Sequence, residues 1–117
     1  MAFTSLASIP VVFYRTSGGN EPVLDWLRGL PPDDRRAIGV DLATVQFGWP
    51  IGMPLCRSLG AGLWEVRSTL PSRRIARLFF FVHRSRIGVV HGFIKKTQKT
   101  PTDDLALAHR RMKEMQA

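Results

Sequence analysis

The sequence predicts an α+β domain, with helices packed on a small antiparallel sheet. Three observations carry that expectation: apolar residues at helical spacing from Val23 to Trp49, strand-like patterning from Leu55 to Ile94, and a proline-led helix start at Thr100-Pro101. Val11 to Tyr14 reads as a short first strand, and Ser17-Gly18-Gly19-Asn20 as a loop that delivers Asn20 as a helix N-cap. In the first helix Val23, Trp26, Leu27 and Leu30 share one face, Pro22 is tolerated in the first turn, and Pro31-Pro32 ends it. A second helix begins near Asp33-Asp34, where carboxylates suit the positive end of the helix dipole. It runs through Ile38, Leu42, Val45 and Trp49 to Pro50. The pair makes a helical hairpin.

From Leu55 the period changes. Leu63 to Thr69 alternates, with Trp64, Val66 and Ser68 on one face and Leu63, Glu65, Arg67 and Thr69 on the other. Pro71-Ser72-Arg73-Arg74 is a turn, and Ile75 to Val82 is an apolar run broken by one charge, Arg77. After Arg84-Ser85-Arg86, Ile87 to Ile94 forms a third long strand, with Gly88 and Gly92 where bulky side chains are absent. Three strands so close in sequence are most economically an antiparallel meander. Thr100 as N-cap, Pro101 as first residue and Asp103 three positions on make a capping box, followed by the stripe Leu105, Ala108, Met112 and Met115. The expected architecture has the helices on one face of the sheet and the other face partly open.

At 117 residues and 44% hydrophobic the chain fits one domain over residues 1–117, with 1–10 expected to be a loosely ordered N-terminus. The single Cys56 forms no internal disulfide, which suits a reducing cytoplasm. The longest early apolar run, Ile9 to Tyr14, is too short for a signal core or a membrane span. The net charge of +8 is uneven: residues 1–56 hold four basic side chains against five acidic, whereas residues 57–101 hold ten basic side chains against Glu65 alone. A folded segment with that surplus presents a positive potential that favours polyanions through Coulomb attraction and counterion release. A solvated basic surface serving solubility is the competing reading.

His83, His91 and His109 stand at no familiar metal-ligand spacing, and no glycine-rich phosphate loop or nucleophile elbow accompanies them, so neither metal nor cofactor is expected. What remains is arginine and lysine at strand positions: Arg67, Arg77, and Lys95-Lys96 at the end of the last strand. Cleaving RNA requires deprotonating a 2′-hydroxyl, stabilising the extra charge of the phosphorane and protonating the 5′-oxygen. Guanidinium groups suit the second task, and a lysine crowded by other cations gives up a proton more readily. The same cluster can equally hold phosphate passively, and Arg77 can pair with Glu65 across adjacent strands. His91 reads more readily as a half-buried, satisfied histidine than as a base, Trp64 and Phe79 to Phe81 as core or as a platform for a base, and Arg110 and Arg111 as a solvated helix face.

Three blocks carry a resemblance: Gly62-Leu63-Trp64-Glu65-Val66-Arg67, Arg77-Leu78-Phe79-Phe80, and His91-Gly92-Phe93-Ile94-Lys95-Lys96-Thr97-Gln98-Lys99-Thr100-Pro101. They closely resemble the phage-derived, HigB-like branch of the RelE/HigB toxin superfamily, over about residues 11–117. The resemblance implies a RelE-like fold and the toxin of a type II toxin–antitoxin system: a metal-independent endoribonuclease that enters the ribosomal A site and cuts mRNA. Carried onto this chain, it implies Arg67 and Arg77 at the phosphorane and Lys95 and Lys96 in phosphate binding or proton transfer. RNA binding would fall to Arg57, Arg73, Arg74, Gln98 and Lys99, with Glu65 and His91 in support. It also implies a cognate helix-turn-helix antitoxin that neutralises the toxin and carries the complex to operator DNA, and no membrane partner. Arg57 stands where many members have a lysine, and Ala76 where many have an aromatic residue. Two other functions stay open: a RelE-fold protein that poisons gyrase, and an inactive copy that only binds antitoxin.

Overall fold

The computed structural model describes residues 8–96 and 101–117. In chain order the elements are β1 (Val11–Phe13), α1 (Pro22–Arg28), α2 (Pro32–Gly48), β2 (Cys56–Gly60), β3 (Leu63–Thr69), β4 (Ile75–His83), β5 (Arg86–Ile94) and α3 (Thr102–Gln116). They build an α+β fold on one sheet of order β1-β5-β4-β3-β2. The three long strands form the expected antiparallel meander.

Two features of the sheet differ from that expectation. β2 is an additional antiparallel strand on β3, with an irregularity between Ser58 and Gly60. Its sequence, Cys-Arg-Ser-Leu-Gly, has little strand preference of its own, and its pairing with β3 is what holds it extended. β1 lies parallel to β5, which the long connection between them, through α1, α2 and β2 to β4, permits.

The helices occupy both faces of the sheet rather than one. Strand alternation sends Val66, Leu78, Phe80, Ile87 and Val89 to one side, where they meet Val23 and Leu27 of α1 and Ile38, Leu42 and Val45 of α2. Trp49 joins this layer edge-on to Trp64 at 4.9 Å. Leu63, Phe79, Phe81 and Val90 point to the opposite side, beneath Ala108 and Met112 of α3. The physical reason is that the hairpin already covers the first face, so the apolar stripe of α3 is buried only against the second.

Two helix starts differ as well. Glu21, not Asn20, occupies the cap position of α1 and makes no side-chain cap bond, while the Asn20 backbone N–H donates to the Thr16 hydroxyl at 3.0 Å. α3 begins at Thr102 after Pro101, and the expected cap, Thr100, lies outside the described residues. The N-terminal stretch is docked where it is described. Ile9 exchanges two 2.9 Å hydrogen bonds with Gln46, and the Pro10 carbonyl accepts from the Ile87 N–H. The two-residue connection between β4 and β5 places Arg84 at φ +51° and Ser85 at φ +60°. Both central residues of such a turn need positive φ, which asparagine and glycine favour and which costs other residues about 1 kcal/mol or more each.

α2 is tied to the β3–β4 turn by a buried carboxylate. Asp34 accepts from the Ser72 N–H at 3.2 Å and from Arg74 Nη2 at 3.2 Å. Burial alone would push this carboxyl up, but the hydrogen bonds from Ser72 and Arg74 outweigh it and hold Asp34 below the ordinary carboxylate value. A depressed folded-state pKa means stability that is present above the unfolded value and lost as pH falls through the folded one. Asp34→Asn is therefore expected to lower the unfolding midpoint at pH 7 and to narrow its gap to wild type below about pH 4, measured by thermal melts across pH.

Cys56 is 1% exposed, and burial pushes its thiol up to about 11. Native protein at pH 8 is expected to react with a thiol reagent at least about a hundredfold more slowly than unfolded protein, because so little thiolate forms. Equal rates in the two states would contradict this burial.

Candidate nucleic-acid interface

The register of the sheet gathers the basic residues. Arg57 on β2 stands opposite Glu65 on β3, Arg67 opposite Arg77 on β4, and Arg77 opposite Phe93 on β5. Beyond the end of β5 the Lys95 N–H donates to the Ile75 carbonyl at 2.7 Å, which continues the register and sets Lys95 opposite Ile75. All these positions share the α3 face. The apolar side chains beneath α3 include Leu63, Phe79, Phe81 and Val90. Arg57, Arg67 and Lys95 remain half-buried, each with part of its side chain in solvent.

At the centre of this group sits a buried ion pair. Arg77 Nη2 and Nε donate to Glu65 Oε2 at 2.5 and 2.6 Å, with side chains 2% and 0% exposed. The Arg77 guanidinium also lies 5.5 Å from the ring centroids of both Phe79 and Phe93. Of the two roles open to Arg77, which do not exclude each other, the cross-strand pairing with Glu65 is made in the fold. Arg57 Nε approaches the other carboxylate oxygen, Oε1, at 3.0 Å, an electrostatic contact without hydrogen-bond alignment, and its side chain is 41% exposed. One carboxylate thus neutralises a buried arginine and holds a surface one. It is the one acidic residue in the basic segment, and its location explains why the segment tolerates it.

Residues 25–113 match the family described as Phage derived protein Gp49-like (DUF891). The chain belongs to this family. Gp49-like proteins are toxin-like, of RelE/HigB type, and this type associates with an antitoxin partner. No curated protein matches the chain significantly. Among the described residues, no helix is long and apolar enough to cross a membrane.

The matched Gp49-like region includes the other expected site residues, and the fold distributes them unequally. Arg73 is exposed at φ +65° in the β3–β4 turn, at the same end of the sheet as Lys95. Arg74 is beside it, but its Nη2 is held by Asp34 and its Nε by the Ser72 hydroxyl at 3.1 Å. Lys96 is exposed and borders a separate groove of about 420 Å³ with Trp26, Phe93 and Asp104. Gln98 and Lys99 lie outside the described residues. His91 is half-buried, with Nε2 2.5 Å from Asp104 Oδ1 and its ring 5.3 Å from Phe93. That contact fastens the first turn of α3 to β5, which is the satisfied role. Phe79, Phe80 and Phe81 are buried and offer no platform for a base.

One residue that matters here, Arg111, was assigned otherwise from the sequence, and one, Trp26, was placed on its helix face but not at the site. Arg111 is not part of a solvated helix face: its Nη1 donates to the Val90 carbonyl at 2.9 Å and its guanidinium lies 4.9 Å from the Tyr14 ring centroid. It thereby covers the β5 edge where β1 stops. Helical spacing offered a signal, since Arg111 follows Ala108 by three positions, on the side of the apolar stripe. Trp26 packs over Gly92, where an added Cβ would come within 2.7 Å of the indole. A bulky residue at position 92 would displace the wall of the Lys96 groove.

Proposed function

We propose that this chain is the toxin of a type II toxin–antitoxin system and acts as a ribosome-dependent endoribonuclease that cleaves mRNA. The observation that carries the reading is the ring of half-exposed cations, Arg57, Arg67 and Lys95, on one sheet face around the buried Glu65–Arg77 pair. A phosphodiester seated on that ring meets two positive groups held by strands and a third, Lys95, whose backbone is bonded to Ile75, which favours transition-state charge over mobile binding.

In the proposed reaction the 2′-oxygen of the nucleotide attacks the adjacent phosphorus, the P–O5′ bond breaks, and a 2′,3′-cyclic phosphate and a free 5′-hydroxyl result. The 2′-proton leaves to a base and a proton is delivered to O5′, so neither water nor an oxidant is consumed. Arg67 holds the non-bridging oxygens and stabilises the phosphorane. Lys95 shares that charge and delivers the proton to O5′, and Lys96 binds the neighbouring phosphate. Arg57, anchored by Glu65, binds phosphate in place of the lysine that many relatives carry there. Arg77 acts through Glu65 and does not touch the substrate. Arg73 and Arg74 extend the positive track beyond the β3–β4 turn. The same reading supplies the partners: the ribosomal A site with its mRNA, a helix-turn-helix antitoxin, operator DNA through the antitoxin complex, and a cytoplasmic location.

Brief induction in cells, followed by mapping of RNA 5′ ends, tests this directly. Growth arrest with new 5′-hydroxyl ends inside translated messages is the expected result. Arrest with intact messages, or DNA damage without RNA cuts, would refute it.

A further inference from the structure

The sheet carries a second charged feature at its other end, remote from the proposed nuclease surface. A cavity of about 180 Å³ opens between the β4–β5 turn and the C-terminal turn of α3. Val12, Phe81, Gly88 and Met115 supply apolar wall, and Arg84 and Arg86 stand on its rim. No Asp or Glu is among the described residues that line it. His83 follows Arg77 by six positions along β4, so the cavity lies roughly 20 Å from the Arg67–Lys95 group at the usual rise of a strand.

Three properties narrow what such a cavity accepts. Its volume is well below the roughly 300–1,000 Å³ of sites that enclose small-molecule ligands, and suits one large apolar side chain. Its rim is cationic, and both arginines are exposed. The turn that presents them is strained: Arg84 and Ser85 both hold positive φ where asparagine and glycine would be relaxed. Strain of this kind persists where the side chain presented has a use, and here the side chain presented is a guanidinium at the mouth of the cavity. The wall argues against RNA as the occupant, because Phe81 is 4% exposed and shows no ring face on which a base could stack.

We propose that this cavity is the docking site for an acidic segment of the antitoxin that carries one large apolar side chain. The segment's carboxylates pair with Arg84 and Arg86, and the apolar side chain seats against Val12 and Met115. The inference rests on the toxin reading above, and it adds that neutralisation uses a surface distinct from the one that cuts RNA.

The test uses the full chain and the antitoxin encoded beside it. The charge-reversal pair Arg84→Glu/Arg86→Glu is expected to weaken antitoxin binding a hundredfold or more by titration calorimetry. It should still arrest growth like wild type when induced alone, and co-expressed antitoxin should no longer relieve that arrest. Val12→Trp keeps both arginines and fills the cavity from its exposed edge, so it is expected to weaken binding at least tenfold. Thermal melts matching wild type confirm that both variants are folded. Antitoxin binding unchanged in the two variants would overturn the proposal. Loss of arrest by the charge-reversal pair with antitoxin binding retained would overturn it in favour of an RNA contact. Absence of arrest by the wild-type chain would instead overturn the toxin reading itself.

Discussion

Glu65→Gln is expected to destabilise the protein by about 3 kcal/mol or more, lowering the thermal midpoint by roughly 10 °C or more. The substitution keeps the shape of the side chain and removes the carboxylate charge that faces an arginine 2% exposed. A guanidinium inside a sheet that loses its carboxylate costs more than the original pair contributed, because the largest offset to its desolvation is gone. The double replacement Glu65→Leu/Arg77→Met removes both charges and is expected to recover most of that stability. It is not expected to recover RNA cleavage, since Arg57 loses the carboxylate oxygen 3.0 Å from its Nε. Stability restored without activity marks Glu65 as a positioning residue. Stability and full cleavage restored together would show that the buried pair serves folding alone.

The second large effect falls on the exposed cations. Arg67→Ala and Lys95→Ala are each expected to reduce single-turnover cleavage by about a hundredfold or more, the usual consequence of removing one donor from a developing oxyanion. Neither is expected to shift the unfolding midpoint by more than a few degrees, because both side chains are half-exposed at the end of the sheet. Arg77 provides the contrast: it lies on the same face and directly opposite Arg67, yet its replacement acts first on stability. A melt and a cleavage assay on the same three variants separate the two roles. Equal loss of stability in all three would contradict the placement of Arg67 and Lys95 at the surface.

The helices and the long strands were legible in the sequence because their burial is written in local periodicity. Val23 and Leu27, then Ile38, Leu42 and Val45, fall on one helical face and do meet the sheet as a hairpin. The basic segment was legible for a similar reason, since charges placed every second residue in a strand must share a face. β2 was not legible, because Arg57, Ser58 and Gly60 carry no strand preference and their extended state depends on β3 beside them. The parallel pairing of β1 was hidden too, since a three-residue strand gives no sign of its direction and the crossover that sets it is tertiary. Arg111 was misread because a residue at the margin of a helical stripe reveals only in the fold whether it meets solvent or a free strand edge.

The amino-acid order by itself determined which residues are basic, which elements they fall on, and that Arg57, Glu65, Arg67, Arg77 and Lys95 sit where strands can collect them. It left open which of these cations would be exposed and which enclosed, because alternation assigns a side chain to a face and is silent about what covers that face. Only the tertiary structure decided this. α3 packs on the same face of the sheet, Glu65 binds Arg77 in the interior beside Phe79 and Phe93, and Arg57, Arg67 and Lys95 remain partly in solvent. The physical reason is that a buried charge persists only with a counter-charge in reach. The chain has one acidic residue in its basic segment, so one arginine is paired inside and the others are left toward solvent.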